Sequence, residues 1–383
     1  MKRKLLIVTT TGETFRTILS GQPRHLDEQF EVTLSCSKDF HSDSLQRNEG
    51  VPVFTVPICR GVSPLRDLLS IAAMIKVIAR VKPDIVHSYT PKAGLIAMVA
   101  AWLCRTPIRV HTFTGLVSPS FKGLKRRVLI TVDILIARMA TVVVPESNGV
   151  KKDLVRYGIA KYSHELIGHG NVAGVDTSFF SSELPEVAES AACITRTEID
   201  DARFSFCYVG RINRDKGLAE LLLAFDKLPP RAVLLVVGEL DVTAPPSPAI
   251  LERMEALDRI HLLGFKTDVR PYIAASDVLV LPSYREGFPN VVLQALSLER
   301  PVIVTDVSGA NEITLPGKNG WIVPIRDVDA LYAAMQQAME MDPAALAKMG
   351  RNGRRLVAER HEQSAYWEKL EAFYHSLLSD IDN

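Results

Sequence analysis

With 383 residues the chain exceeds the ~250–300 at which a single hydrophobic core stops growing, so its length predicts two domains. Apolar residues make up 47% and charged residues 23%, the balance of a globular enzyme, and a formal net charge of +1 removes any global electrostatic case for nucleic-acid binding. Five scattered cysteines with no CxxC pair argue for reduced thiols in a cytoplasmic setting rather than a disulfide framework, and no run approaches the ~20 apolar residues of a membrane span.

Short apolar runs alternate with longer amphipathic ones, the pattern of βαβ units around a buried parallel sheet. After Met1-Lys2-Arg3-Lys4 the apolar run Leu5–Val8 stops at Thr9-Thr10-Thr11-Gly12. That is too short for a secretory signal and reads as a first strand over 4–9. Further strands are predicted at 31–35, 53–56, 85–87, 108–112, 141–144 and 165–167, with helices over 65–81, 92–104, 122–140 and 147–157. In the helix opened by Lys122, residues Val128, Val132, Leu135 and Met139 form an apolar stripe, while Lys122, Lys125 and Arg126 gather at its start. Docking at a membrane surface or lipid diphosphate and a plain surface helix are both open readings of this segment. From 177 to 202 the periodicity dissolves into polar and acidic residues, which predicts a linker or insertion.

The pattern then restarts, with strands at 205–209, 232–237, 260–263, 278–281, 301–304 and 320–323. Helices are predicted at 217–228, 247–257, 269–275, 290–298, 328–341 and 343–359, and a tail over 362–378 carries aromatic and leucine positions suited to packing on a domain surface. The predicted organisation is an N-terminal domain over 1–176 with segment 362–383 packed back on it, a linker at 177–202, and a C-terminal domain over 203–361. Both domains read as Rossmann-like, doubly wound α/β units, which bind ligands at the carboxyl ends of their strands.

The densest chemistry lies at Gly210-Arg211-Ile212-Asn213-Arg214-Asp215-Lys216-Gly217, between a strand and a helix. Glycine permits close backbone approach, the helix N-terminus offers free N–H groups, and Arg211 and Lys216 add two cations. Arginine presents a planar fork to phosphate oxygens and lysine a mobile charge, so a diphosphate fits; a left-handed turn flanked by solvated charges is the plainer alternative. The second segment, Glu286-Gly287-Phe288-Pro289-Asn290, follows a strand and leads into a helix that carries Gln294 two turns on. Its neighbours suit sugar hydroxyls, although Glu286 also reads as an ordinary carboxylate at a helix start.

Together these segments resemble the donor domain of family 4 retaining glycosyltransferases of the GT-B fold, two Rossmann-like domains facing each other across a cleft. The resemblance implies that Gly210, Arg211 and Lys216 hold the diphosphate of a nucleotide sugar. It implies that Glu286 orients the transferred hexose, cradled by Gly287, Phe288, Pro289 and Asn290. Gln294 takes the ribose-binding place, where the family carries a glutamate. Val237-Gly238-Glu239, Leu263-Gly264-Phe265 and Asp306–Ile313 occupy further family positions, and Ile167–Asp176 resembles the interdomain signature.

In the N-terminal half, Asp84–Gly94 and Val110–Leu116 are similar to bacterial members that extend polyprenyl-diphosphate-linked oligosaccharides for capsule, O-antigen or glycoprotein assembly. His111 is expected on the donor sugar or as a hydrogen-bonded strand-end histidine. Gly12 and Lys92 are candidates for the acceptor or phosphate side, with Lys92 equally readable as solvated. Retention, as the family implies, needs no side-chain nucleophile; a donor phosphate oxygen takes the acceptor's proton. No resident cofactor or catalytic metal is expected, since the nine histidines show no ligand spacing and Asp327-Val328-Asp329 sits where a helix begins. The expected partners are a sugar-nucleotide donor, UDP-linked, and a saccharide acceptor at the inner membrane face. Three rivals stay open: an epimerase or phosphorylase of the same fold, a nicotinamide-dependent dehydrogenase, and a silent sugar-nucleotide-binding subunit suggested by Gln294.

Overall fold

The structure is a computed structural model that describes residues 2–39, 42–59, 61, 63–200, 203–242 and 244–382. It divides into two compact units, one running to Gly174 and resuming at Ser364, the other spanning Val175–Gln363.

The first unit contains β1 (Lys4–Val8), α1 (Gly12–Thr17), α2 (Gln22–Asp27), β2 (Glu31–Cys36), α3 (Ser42–Glu49), β3 (Val53–Thr55) and α4 (Pro64–Val81). It continues with β4 (Ile85–Ser88), α5 (Pro91–Leu103), β5 (Ile108–Phe113), α6 (Gly123–Met139), β6 (Val142–Pro145) and α7 (Asn148–Arg156). The parallel sheet has the order β3-β2-β1-β4-β5-β6, so the winding reverses between β1 and β4. Alternation along β1 sets the layers. Leu5 and Ile7 join a core with Phe15, Leu26, Leu370 and Tyr374, whereas Leu6 and Val8 join the opposite core with Met74, Ile96 and Ile136. The C-terminal helix Gln363–Asp382 supplies Tyr366, Leu370, Phe373 and Tyr374 to the first of these. A buried polar chain ties it down: His87 lies 2.6 Å from the Tyr374 hydroxyl and 2.7 Å from Thr112 Oγ1. Burial lowers the His87 pKa well below its ordinary value, so the imidazole is neutral.

The second unit begins with α8 (Pro185–Ile194) and a π-helical turn, Thr195–Ile199, and proceeds through β7 (Phe204–Val209), α9 (Leu218–Asp226), β8 (Ala232–Val237) and α10 (Pro248–Ala256). Next come β9 (Ile260–Gly264), α11 (Arg270–Ala275), β10 (Val278–Leu281), α12 (Asn290–Ser297) and β11 (Val302–Thr305). It ends with α13 (Ala310–Ile313), β12 (Gly320–Val323), α14 (Val328–Glu340) and α15 (Pro343–Arg360), before the C-terminal helix α16. Its parallel sheet has the order β12-β11-β10-β7-β8-β9, again with a reversal, here between β7 and β10.

Three expectations change. Of the linker or insertion expected at 177–202, the described residues 177–200 are packed, because α8 and the π turn bury Val187, Ala191 and Ile199 in the second core, and 201–202 lie outside the described residues. Residues 165–167 form no strand; the preceding His164 amide reaches the Val143 carbonyl at 2.7 Å, but no ladder follows. Finally, α6 is rotated from its expected phase. Val128 and Leu135 are more than a third exposed, and the buried positions are Asp133 and Ile136. The stripe counted only apolar residues and so could not place a buried carboxylate.

Candidate active site

In the second unit β7 ends at Val209, and Asn213 Oδ1 caps a single 3-10 turn, Arg214–Lys216, by accepting from the Asp215 amide at 3.1 Å. Gly217 then adopts φ 67° and starts α9. A Cβ there would lie 2.0 Å from the Pro282 carbonyl oxygen, so only glycine lets this turn press on the loop after β10. The contact brings the two sequence motifs together. The Tyr284 amide donates to the Asp215 carbonyl at 2.8 Å, Arg285 Nε meets Asp215 Oδ2 at 3.0 Å, and Lys216 Nζ meets Glu286 Oε1 at 2.6 Å. Lys216 and Glu286 lie seventy positions apart in the chain, yet both are largely shielded, at 22% and 13% side-chain exposure.

A third segment closes on the same place. A Cβ on Gly309, just before α13, would stand 2.3 Å from the Gly287 carbonyl oxygen and 2.5 Å from Phe288 Cα. Phe288 itself is buried, its ring 5.3 Å from that of His361, so it supports the loop from behind. Pro289 precedes α12 in an extended conformation, Asn290 opens the helix, and Gln294 sits half-buried on it. Gly210 continues the sheet edge, its amide donating to the Val237 carbonyl at 2.9 Å. Arg211 stands out at 61% side-chain exposure and pairs with Asp241 at 3.0 Å. Two cations beside the start of a nine-residue helix, each held by a carboxylate, form a place where an anion can take over the pairing.

Tyr208, fully buried beneath this loop, donates its hydroxyl to the Arg211 carbonyl at 2.8 Å. Burial first, and then the charge of Glu286, raise its pKa, so the phenol stays protonated and the donor role is fixed. Neither Tyr208 nor Asp241 was found from sequence. A tyrosine inside a hydrophobic strand carries no separate signal, and Asp241 lies thirty positions beyond Arg211 in an irregular segment.

The first unit treats its candidates differently. His111 is fully buried within β5; its Nδ1 lies 2.8 Å from Ser88 Oγ, and Phe113 stands edge-on at 4.5 Å. A Cβ on Gly94 of α5 would meet its ring at 2.4 Å, and burial pushes its pKa down to about 3. The imidazole is thus neutral, hydrogen-bonded to Ser88 through Nδ1 and buried at Nε2. The Gly12 amide already donates to Asp39 Oδ2 at 2.7 Å, and a carboxylate there opposes a phosphate. Lys92 is paired with Asp67 at 2.5 Å. Lys122 precedes α6, Lys125 Nζ lies 3.7 Å from the Phe121 ring centroid, and Arg126 leans on Tyr157 at 5.2 Å.

Among the described residues no group of three or more His, Cys, Asp or Glu gathers as metal ligands, and no helix is long and apolar enough to cross a membrane. Asp327 caps α14 through the Ala330 amide at 2.9 Å, and Asp329 pairs with Lys227 at 2.6 Å.

Residues 203–341 match the glycosyl transferases group 1 family, and residues 17–170 match the glycosyl transferase 4-like domain. The chain is 30% identical to the capsular polysaccharide biosynthesis glycosyltransferase CapM of Staphylococcus aureus, over 100% of both chains. It is 26% identical to the Escherichia coli UDP-Gal:alpha-D-GlcNAc-diphosphoundecaprenol alpha-1,3-galactosyltransferase, covering 91% of this chain and 89% of that one. Among solved structures, Anabaena HepE in complex with UDP and glucose superposes with a TM-score of 0.82 at 18% identity, over 98% of this chain and 100% of that one.

Proposed function

Because the chain belongs to the group 1 glycosyltransferases with a family 4-like N-terminal domain, we propose that it transfers a hexose or N-acetylhexosamine, with retention, from a UDP-linked donor to a polyprenyl-diphosphate-linked oligosaccharide. The product belongs to surface-polysaccharide assembly, the setting named for the S. aureus relative. The observation that carries the reading is the apposition of Lys216 and Glu286 at 2.6 Å, which sets a cation and a carboxylate side by side at the start of α9.

In this reading Arg211 and Lys216 take the donor diphosphate, Glu286 turns to the hydroxyls of the hexose, and Gln294 meets the ribose. The acceptor oxygen bonds to the anomeric carbon as the bond to the diphosphate breaks, and a diphosphate oxygen receives the acceptor's proton. The protein's part is to position both substrates and to stabilise charge developing on the leaving group.

A polyprenyl acceptor requires working at a membrane surface. Besides the basic start of α6, the first turns of α4 support this: Leu65, Leu68 and Leu69 are 79%, 64% and 68% exposed, while Asp67 and Ser70 of the same turns face inward. The test is transfer from a panel of radiolabelled UDP-, GDP- and dTDP-sugars to an undecaprenyl-diphosphate-linked sugar. Label entering the lipid fraction from a UDP-sugar is the expected result. Interconversion or hydrolysis of the donor without transfer would replace the reading with a non-transferase activity.

A further inference from the structure

We infer that Asp241 aims Arg211 at the donor diphosphate, an inference that rests on the donor-site reading above. Arg211 is a long side chain at 61% exposure, and left alone it would sample many rotamers. Asp241 beside it is only 11% exposed. Its Oδ2 accepts from Arg211 Nη1 at 3.0 Å and from Asn213 Nδ2 at 3.3 Å. Asn213 is fixed from its other side, because its Oδ1 already caps the Asp215 amide. The segment that carries the carboxylate is in turn held by backbone. The Ile212 amide donates to the Glu239 carbonyl at 2.8 Å, the Asp241 amide to Ile212 at 3.0 Å, and the Arg214 amide to Ala244 at 3.0 Å. Residues 239–242 and Ala244 are thus laced along 211–214, and the Asp241 carboxylate orients Arg211 and Asn213 of that loop.

Two effects oppose each other here. A carboxylate near a diphosphate repels it, whereas a pre-oriented arginine loses less rotamer freedom on binding. The Asp241 charge is compensated by Arg211 itself at 3.0 Å, so a ligand meets the field of a pair, further screened by solvent around an exposed guanidinium. Contact through Nη1 leaves the other guanidinium donors for phosphate oxygens. Ordering a rotamer-rich side chain is worth roughly two- to tenfold in affinity, so orientation wins. Asp241 is a positioning residue and touches no substrate.

The test is calorimetric titration of UDP and of uridine into the native chain, Asp241→Asn, Asp241→Ala, Arg211→Ala and the Arg211→Ala/Asp241→Ala double variant, each with an unchanged circular dichroism spectrum. Asp241→Ala is expected to weaken UDP binding roughly two- to tenfold while leaving uridine unchanged. Asp241→Asn, which keeps an acceptor for Arg211, recovers most of the loss, and Asp241→Ala adds nothing once Arg211 is gone. UDP binding as tight or tighter in Asp241→Ala, or an equal loss in the Arg211→Ala background, overturns the inference alone. A native chain that does not bind UDP, or Arg211→Ala binding it normally, overturns the donor-site reading and the inference with it.

Discussion

Each candidate donor-site cation already has an anionic partner. The Lys216–Glu286 pair, both members shielded, ties the group proposed for the diphosphate to the group proposed for the sugar. Removing the charge of Glu286 releases Lys216, so Glu286→Gln is expected to bind UDP at least as tightly as the native chain while its turnover collapses. Lys216→Ala should lose roughly 1.5–3 kcal/mol of UDP binding, the worth of a charge-assisted contact. Calorimetry beside steady-state kinetics measures both; a Glu286→Gln variant with normal turnover removes Glu286 from the site. Gln294 is a graded case. A neutral amide forgoes about 1–2 kcal/mol relative to a carboxylate on the ribose, roughly five- to thirtyfold in affinity. Because the ribose does not react, Gln294→Glu is expected to lower the donor KM and leave kcat nearly unchanged. Should the native chain be inactive with every donor and the glutamate variant active, the chain is a silent relative.

At the scale of elements, α6 carries both a stability signal and a surface signal. Asp133 is buried, and burial raises its pKa from 3.8 to about 7. Between those values the folded state holds a proton that the unfolded chain has released. Its contribution to stability is therefore full below pH ~4, falls as the pH rises, and is lost above pH ~7. Asp133→Asn should melt above the native chain at pH 8, with a smaller gap at pH 5; calorimetric scans at the two pH values check the sign. The surface signal is the basic start of α6 together with the exposed leucines of α4. The native chain should float with phosphatidylglycerol vesicles at low salt. Changing Lys122, Lys125 and Arg126 to serine, or Leu65, Leu68 and Leu69 to serine, should leave it at the bottom of the gradient. If the native chain does not float yet is fully active on a water-soluble acceptor, the membrane reading fails.

At the scale of the molecule, each unit has its own sheet and cores, and the three segments that converge around Lys216 and Glu286 all belong to the second. A nucleotide bound there stabilises that unit first, by about 2.7 kcal/mol at a hundred times its dissociation constant. Hydrogen exchange with UDP should therefore slow in peptides covering 210–217 and 284–294 and leave β1 and β4 as they were. Slowing confined to the first unit would put the nucleotide elsewhere.

How much of this was legible in the sequence follows from the range of the forces involved. All twelve strands in the two sheets fall within one residue of their expected bounds, and β8, β10 and β12 match them at both ends, because period-two burial and turn residues are local signals. The candidate donor motif around Gly217 was legible for the same reason, since a φ of 67° favours glycine in the turn itself. What lay beyond reach were contacts between distant segments. The spacing that suggested a strand-end role for His111 could not report that Gly94 lets α5 settle on its ring and seals it. Nor could local polarity show that α8 finds a core to cover, that α6 turns a carboxylate inward, or that Asp39 occupies the Gly12 amide. Two doubly wound sheets and a set of candidate phosphate and sugar contacts could be read from local pattern; which charged groups are already paired could not, because pairing depends on distances between segments that no periodicity encodes.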